Sequence, residues 1–154
     1  MTKATCRKSG FTLVEVLIVV VIMAILAATV IPQFTDSTLD AKNSSAQFNL
    51  HTLRQQVELY KSQHDGVVPG DNLTELTSKT DKNGNIGTDA NVHIYGPYMK
   101  EIPANPYNNS RTIALTTDNP PTAEHATAGY LWDKTNGRLW VNSNDPKKMP
   151  FSKQ

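Results

Sequence analysis

Residues 11–31 read FTLVEVLIVVVIMAILAATVI, a run of 21 residues with one charge, Glu15. A carboxylate at the centre of a spanning helix costs roughly 2.5–3.5 kcal/mol. Glu15 lies about 6 Å into the run at about 1.5 Å per residue, so its cost is lower, but a generic anchor would omit it. What it offers is a counter-charge. A chain beginning at Phe11 would carry a free α-amino group at a helix N-terminus, an end already positive from its unpaired N–H groups. Glu15, one turn on, would offset both charges. Helix geometry points the side chain sideways, so in a bundle of such helices Glu15 of one copy would meet the terminal amine of the next. Each group satisfies the other where an unpaired charge is expensive, and the pairing sets axial register.

Other candidate chemistry is sparse. Asp81, Asn83, Asn85 and Asp89 place oxygen-bearing side chains at alternate positions, as a calcium loop does. However, the glycine is at 87 rather than 86, and Val92 stands where a bidentate glutamate belongs. A solvated Asn/Gly turn is the competing reading, so the expectation is no cofactor, with calcium as the one alternative. His51, His64, His93 and His125 lack metal spacing; His51 and His64 are 13 apart on one predicted helix. The sequence has no Gly-x-Ser-x-Gly, no P-loop, and no cysteine apart from Cys6. Cys6 precedes the apolar run, whereas a lipidated cysteine follows one. Tyr95, Tyr98 and Tyr107 lack the interleaved basic residues of a base-stacking surface and read as loop aromatics under Pro-rich turns. Asn72-Leu-Thr74 and Asn108-Asn-Ser110 fit the glycosylation pattern, a short motif of little weight. The chain is expected not to be an enzyme.

The elements that position Glu15 follow from composition. Three of the 15 basic residues, Lys3, Arg7 and Lys8, precede residue 11 and no acid does, so the rest carries 12 bases against 14 acids. No broad basic surface remains, and nucleic acid is not an expected partner. As a helix, residues 11–31 span about 32 Å, enough for a hydrocarbon core of about 30 Å. A lone strand in lipid would leave its backbone unsatisfied, so helix wins over the β-preference of Val and Ile. Basic residues before the run, and Asp36 and Asp40 after it, predict a cytoplasmic N-terminus. Pro32 lacks an N–H and is expected to kink the helix. Beyond it Leu39, Ala46, Leu50, Leu53, Val57, Tyr60 and His64 form an amphipathic stripe, interrupted at Lys42 and Asn43. Asp40, Gln47, Arg54, Glu58 and Lys61 are assigned to the solvated face. The helix is expected to end near Asp65-Gly66, where glycine supplies a stop.

Residues 65–154 are rich in turn formers. A short helix is predicted over 73–79, capped by Asp71 or Asn72. Strands are predicted over 112–116, 130–133 and 138–142, the last two joined by a loop at 134–137 with both tryptophans as cross-strand candidates. The organisation is a leader at 1–10, a membrane or filament-core helix at 11–31, its amphipathic continuation at 32–64, and a small domain at 65–154. The fold class is α+β: a long helix on a small antiparallel sheet.

Lys8-Ser9-Gly10-Phe11-Thr12-Leu13-Val14-Glu15 resembles the class III signal of type IV pilins and type II secretion pseudopilins. The resemblance implies cleavage after Gly10 by the prepilin peptidase, N-methylation of Phe11, a register role for Glu15 and a kink at Pro32. Residues 95–107 look like the Pro-rich linking loop of the secretion G subunits, and 129–141 are similar to their terminal hairpin. One departure is the acidic calcium loop of that family: 142–148 holds one acid, Asp145, and two lysines. The implied role is a structural subunit of a homo-oligomeric helical filament, most like the major pseudopilin of a type II secretion system. Its implied partners are the inner-membrane assembly platform with its ATPase, and minor pilin-like subunits. The implied location is the bacterial inner membrane, single-pass, with the C-terminal domain outside. The alternatives are a surface pilin for adhesion, motility or DNA uptake, and a monomeric signal-anchored binding module.

Overall fold

Apolar side chains in an unbroken run, followed by a 3–4-residue stripe, favour one continuous helix. The computed structural model describes residues 10–143, 145, 148, 150 and 154, with the backbone alone at 32–36. The expected leader, 1–9 with Lys3, Cys6, Arg7 and Lys8, lies outside the described residues. Helix α1 runs Leu13–Gln63 and continues through Pro32. The chain divides into two compact units, Met1–Thr38 and Leu39–Gln154.

In the second unit the helix buries Ala46, Leu50, Leu53, Val57, Tyr60 and His64, the predicted stripe, with Leu39 half-buried. The interruption in that stripe is an anchor point. Asn43 Oδ1 accepts from the Tyr107 hydroxyl at 2.5 Å, and Asn49 Nδ2 donates to the Ala104 carbonyl at 3.1 Å. Polar residues there tie down the 104–107 loop. The helix ends close to the expected place, at Gln63. Asp65, not Gly66, takes the first left-handed position at φ 52°, and Gly66 N–H bonds back to the Lys61 carbonyl at 2.8 Å. That is the six-to-one bond of a Schellman cap, with a short polar residue at the site glycine usually fills.

The predicted 73–79 helix shrinks to a single 3-10 turn, Thr74–Leu76. Leu73 precedes it in a left-handed conformation with no side-chain cap, so neither Asp71 nor Asn72 caps it. Leu73 and Leu76 both enter the core, and burial rather than capping holds the turn.

Strands β1 (Ile113–Leu115), β2 (Tyr130–Asp133) and β3 (Arg138–Val141) form one sheet in the order β1-β2-β3. The β2–β3 pair is the expected antiparallel hairpin, but β1 pairs with β2 in parallel, so the sheet is mixed rather than wholly antiparallel. The physical reason is the long connection from 116 to 129, which lets the chain return before it pairs. Trp132 pairs with Leu139 and Trp140 with Leu131, so the tryptophans sit on opposite faces. Tyr130, Trp132, Leu139 and Val141 join the core with the helix stripe; Leu131 and Trp140 pack with Ala128 on the other face.

Arg54 is not on the solvated face. Its Nε and Nη2 donate to the Leu139 carbonyl at 3.1 and 2.6 Å, and Nη1 donates to the main-chain oxygen of Gln154 at 2.9 Å. The Gln154 side-chain amide completes the outer side of β3. Its Oε1 accepts from Val141 N–H at 2.6 Å, and Nε2 donates to the Val141 carbonyl at 3.1 Å.

The hairpin loop is ordered by Asp133. One carboxylate oxygen accepts from Thr135 and Asn136 N–H, and the other from Asn136 Nδ2 at 2.6 Å. Burial pushes this carboxyl up. Bonds from the Asn136 side chain, then from the Asn136 and Thr135 backbone, with the Arg138 charge, outweigh that and hold it below the usual range. A lowered carboxyl stabilises the fold above its unfolded value and ceases to do so as pH falls through the folded value. Urea midpoints of the detergent-solubilised chain should therefore decline as pH drops below about 4. Asp133→Asn should flatten that decline; an identical slope would exclude Asp133 as a contributor.

Candidate functional site: the start of the apolar helix

In the first unit, Leu13–Ile31 has a mean hydropathy of 3.0 over its apolar window, and none of that window is buried within the chain. Phe11 is 89 % exposed and Leu13 83 % exposed. A helix that is apolar all round needs lipid or other helices around it. By length and composition this one can cross a membrane.

Its first turn is built by Thr12 and Glu15. Thr12 N–H donates to Glu15 Oε2 at 2.8 Å, and the Thr12 hydroxyl donates to the same oxygen at 2.8 Å. Glu15 N–H donates back to Thr12 Oγ1 at 3.2 Å. This is a capping box: the side chain at the helix cap and the acid three residues later satisfy each other's backbone N–H groups. The expectation that Glu15 simply points sideways to a neighbour is thus incomplete. One of its oxygens, Oε2, is held inside its own chain. The other, Oε1, makes no hydrogen bond among the described residues. The Thr-x-x-Glu spacing was the available signal for the cap. Gly10 and Phe11, two residues and one residue before the cap, are exposed, and nothing lies within 4 Å of where a Cβ on Gly10 would sit.

The remaining candidates are drawn into the fold. Asp81 Oδ1 accepts from Asn83 and Asn85 N–H, each at 2.8 Å, and Oδ2 accepts from Asn85 Nδ2 at 2.9 Å. The Asn85 side chain, and then its backbone, hold this carboxyl below its usual range. Asp89 Oδ1 accepts from Asn91 N–H at 2.9 Å. Each aspartate therefore orders its own turn, Asp81 with Asn83 and Asn85 and Asp89 with Asn91. Among the described residues, no three His, Cys, Asp or Glu side chains gather as a metal group.

The histidines serve separate local structures. His64 is buried, stacks on Tyr60 with ring centres 3.9 Å apart, and bonds the Tyr60 and Asp81 carbonyls. His51 pairs with Gln55. His93 lies over Gly87, where a Cβ would strike its ring. His125 N–H donates to Asn142 Oδ1 at 2.9 Å. The tyrosines pack rather than present faces. Tyr98 donates to Gln63 at 2.8 Å, and Tyr95 tilts against His64. Asn108 Nδ2 donates to the Ala128 carbonyl at 2.7 Å. A residue that sequence reasoning missed, Asn105, is fully buried and staples its loop to the Gly129 carbonyl at 2.8 Å.

Residues 5–31 match the family model described as the prokaryotic N-terminal methylation motif. The chain is similar to the type II secretion system core protein G of Escherichia coli strain K12, at 26 % identity over 121 residues, covering 72 % of this chain and 74 % of the relative. It is similar to the core protein G of Pseudomonas aeruginosa at 31 % identity over 103 residues, covering 67 % and 70 %. The type IV major pilin protein PilE of Neisseria gonorrhoeae is 33 % identical over 95 residues, 62 % of this chain and 50 % of that pilin. No solved structure matches the chain. With an exposed apolar helix, a capped acidic first turn and a small α+β unit behind it, the chain belongs to the type IV pilin-like family of filament subunits that includes the type II secretion core protein G.

Proposed function

We propose that the chain is the major pseudopilin of a type II secretion system, made as a precursor and cut between Gly10 and Phe11 by a prepilin peptidase. The cut would turn the Phe11 amide into an amine, which is then N-methylated. The apolar helix would hold the subunit in the inner membrane, N-terminus cytoplasmic and C-terminal unit outside. Assembly would draw it from lipid into a homo-oligomeric filament, through an assembly platform and its ATPase, with minor pilin-like subunits. The chain's own part is structural rather than enzymatic.

The observation that carries this reading is Glu15 with one oxygen committed to Thr12 and one free, in an apolar segment, Leu13–Ile31, otherwise without a charge. The capping bonds supply half of the carboxylate's needs within the subunit. The second oxygen is left for the new ammonium group of a neighbouring copy, and that contact sets register. Identity with the core G proteins over two thirds of the chain supports the secretion filament. The likeness to a major pilin supports a surface pilus as the second reading.

Intact mass of the membrane-extracted protein should show loss of residues 1–10 and one added methyl group; a full-length N-terminus in cells that contain the peptidase would sink the proposal. Glu15→Val should insert and be cleaved normally yet fail to assemble, as judged by sheared filaments under the electron microscope. Normal filaments from that variant would refute the register contact. Deletion should abolish protein secretion; loss of surface motility with secretion intact would favour the pilus.

A further inference from the structure

The sheet has two edges, and the chain closes one of them. On β3, Arg54 takes the Leu139 carbonyl, and the Gln154 side chain takes the Val141 N–H and carbonyl. On the other side, Tyr130 N–H donates to the Thr112 carbonyl at 3.1 Å and Thr116 N–H donates to the Trp132 carbonyl at 2.9 Å. Successive residues of a strand turn their backbone groups to opposite sides. Thr112, Ala114 and Thr116 therefore face β2, and Ile113 and Leu115 turn their N–H and C=O groups away from it. β1 is the last strand on that side. Among the described residues, none of these four outward groups has a hydrogen-bond partner.

Edge strands are commonly blunted by a charge, a proline or a bulge. Residues 112–117 read TIALTT, with no charge and no proline. Ile113 and Leu115 pair with Tyr130 and Trp132 and share their face of the sheet. Leu115 is 54 % exposed. A strand laid beside β1 would set its own side chains opposite Ile113 and Leu115 on that face and cover Leu115. β1 is three residues long, which limits such a contact to four backbone bonds and keeps it weak.

We propose that the outer edge of β1 is a docking site for an extended segment of a different polypeptide, taken up as a fourth strand. Donor and acceptor pairs repeating every second residue match an extended backbone. The segment is uncharged, with apolar residues at the alternate positions that face Ile113 and Leu115. A second copy of this chain does not fit. Its β3 edge is occupied. Two β1 edges are related by a two-fold axis only when the strands pair antiparallel, and that axis stands normal to the sheet. It would reverse the α1 segment packed on the sheet in one of the two copies, whereas the subunits of one filament all run one way. The edge depends on the sheet and not on the secretion reading.

The probe is the blocked peptide acetyl-Lys-Thr-Val-Thr-Val-Thr-Lys-amide, added to the full chain in detergent micelles. Amide hydrogen exchange is followed by NMR. Without peptide, Ile113 and Leu115 should exchange fast, and Ala114 and Thr116 slowly. Saturating peptide should slow Ile113 and Leu115 roughly tenfold and leave Ala114 and Thr116 unchanged. Ile113→Pro removes an outward donor and spares the bonds to β2, so it should weaken peptide binding roughly tenfold. The same peptide with every Thr and Val nitrogen methylated has no donor to offer, and should give the unaltered chain no protection. That arm holds even where Ile113→Pro fails to fold. Equal protection from both peptides, no protection at a large excess, or Ile113 and Leu115 already protected before peptide is added would overturn the proposal. So would rapid disulfide formation between two copies of Ala114→Cys in a Cys6→Ser background, which would put a second copy at this edge.

Discussion

A helix that is apolar on every side cannot remain in water, and one of nineteen such residues has only two places to go. Lipid covers it in the subunit, and sister helices cover it in the filament. Either environment makes a charge expensive, so the chemistry of the first turn decides how the protein passes between them. The capping box lowers the cost of carrying Glu15 in the isolated subunit by satisfying part of the carboxylate and two backbone donors at once. One carboxylate oxygen, Oε1, is left without a hydrogen bond among the described residues.

Past Thr38 the same helix obeys different rules. One stripe is buried against strands and loop, and its polar residues act as fasteners. Asn43, Asn49 and Arg54 each reach across to backbone or hydroxyl groups far along the chain. A domain with a three-stranded sheet has little apolar area to bury, so these directed bonds define where the loops sit as much as burial does. The long-range bond of Asn105 to the Gly129 carbonyl follows the same economy.

Much of this was legible in the sequence, for reasons that differ by residue. The apolar run, Glu15 and the helix stripe are statements about periodicity and solvation, which one sequence carries in full. The β2–β3 hairpin was visible because a Gly-ended loop separates two apolar runs. Arg54 was misplaced because a helical wheel assigns a cation to solvent and knows nothing of a strand edge that needs a donor. The parallel β1–β2 pair was missed because pairing direction depends on the path of residues 116–129, not on strand composition. The end of α1 near Asp65 and Gly66 was legible because left-handed positions favour glycine and tolerate short polar side chains.

The closure of β3 by Arg54 and the Gln154 side-chain amide has a consequence for a filament subunit that lies beside copies of itself. Polymerising proteins run a standing risk of joining by the wrong geometry. An open strand edge is a template for backbone-to-backbone growth, and such growth ends in stacked sheets that do not dissolve. Here a side-chain amide occupies the place where the next strand's peptide would dock, and a guanidinium takes the remaining carbonyl. At this edge the sheet is already terminated, so β3 offers no backbone template to another strand.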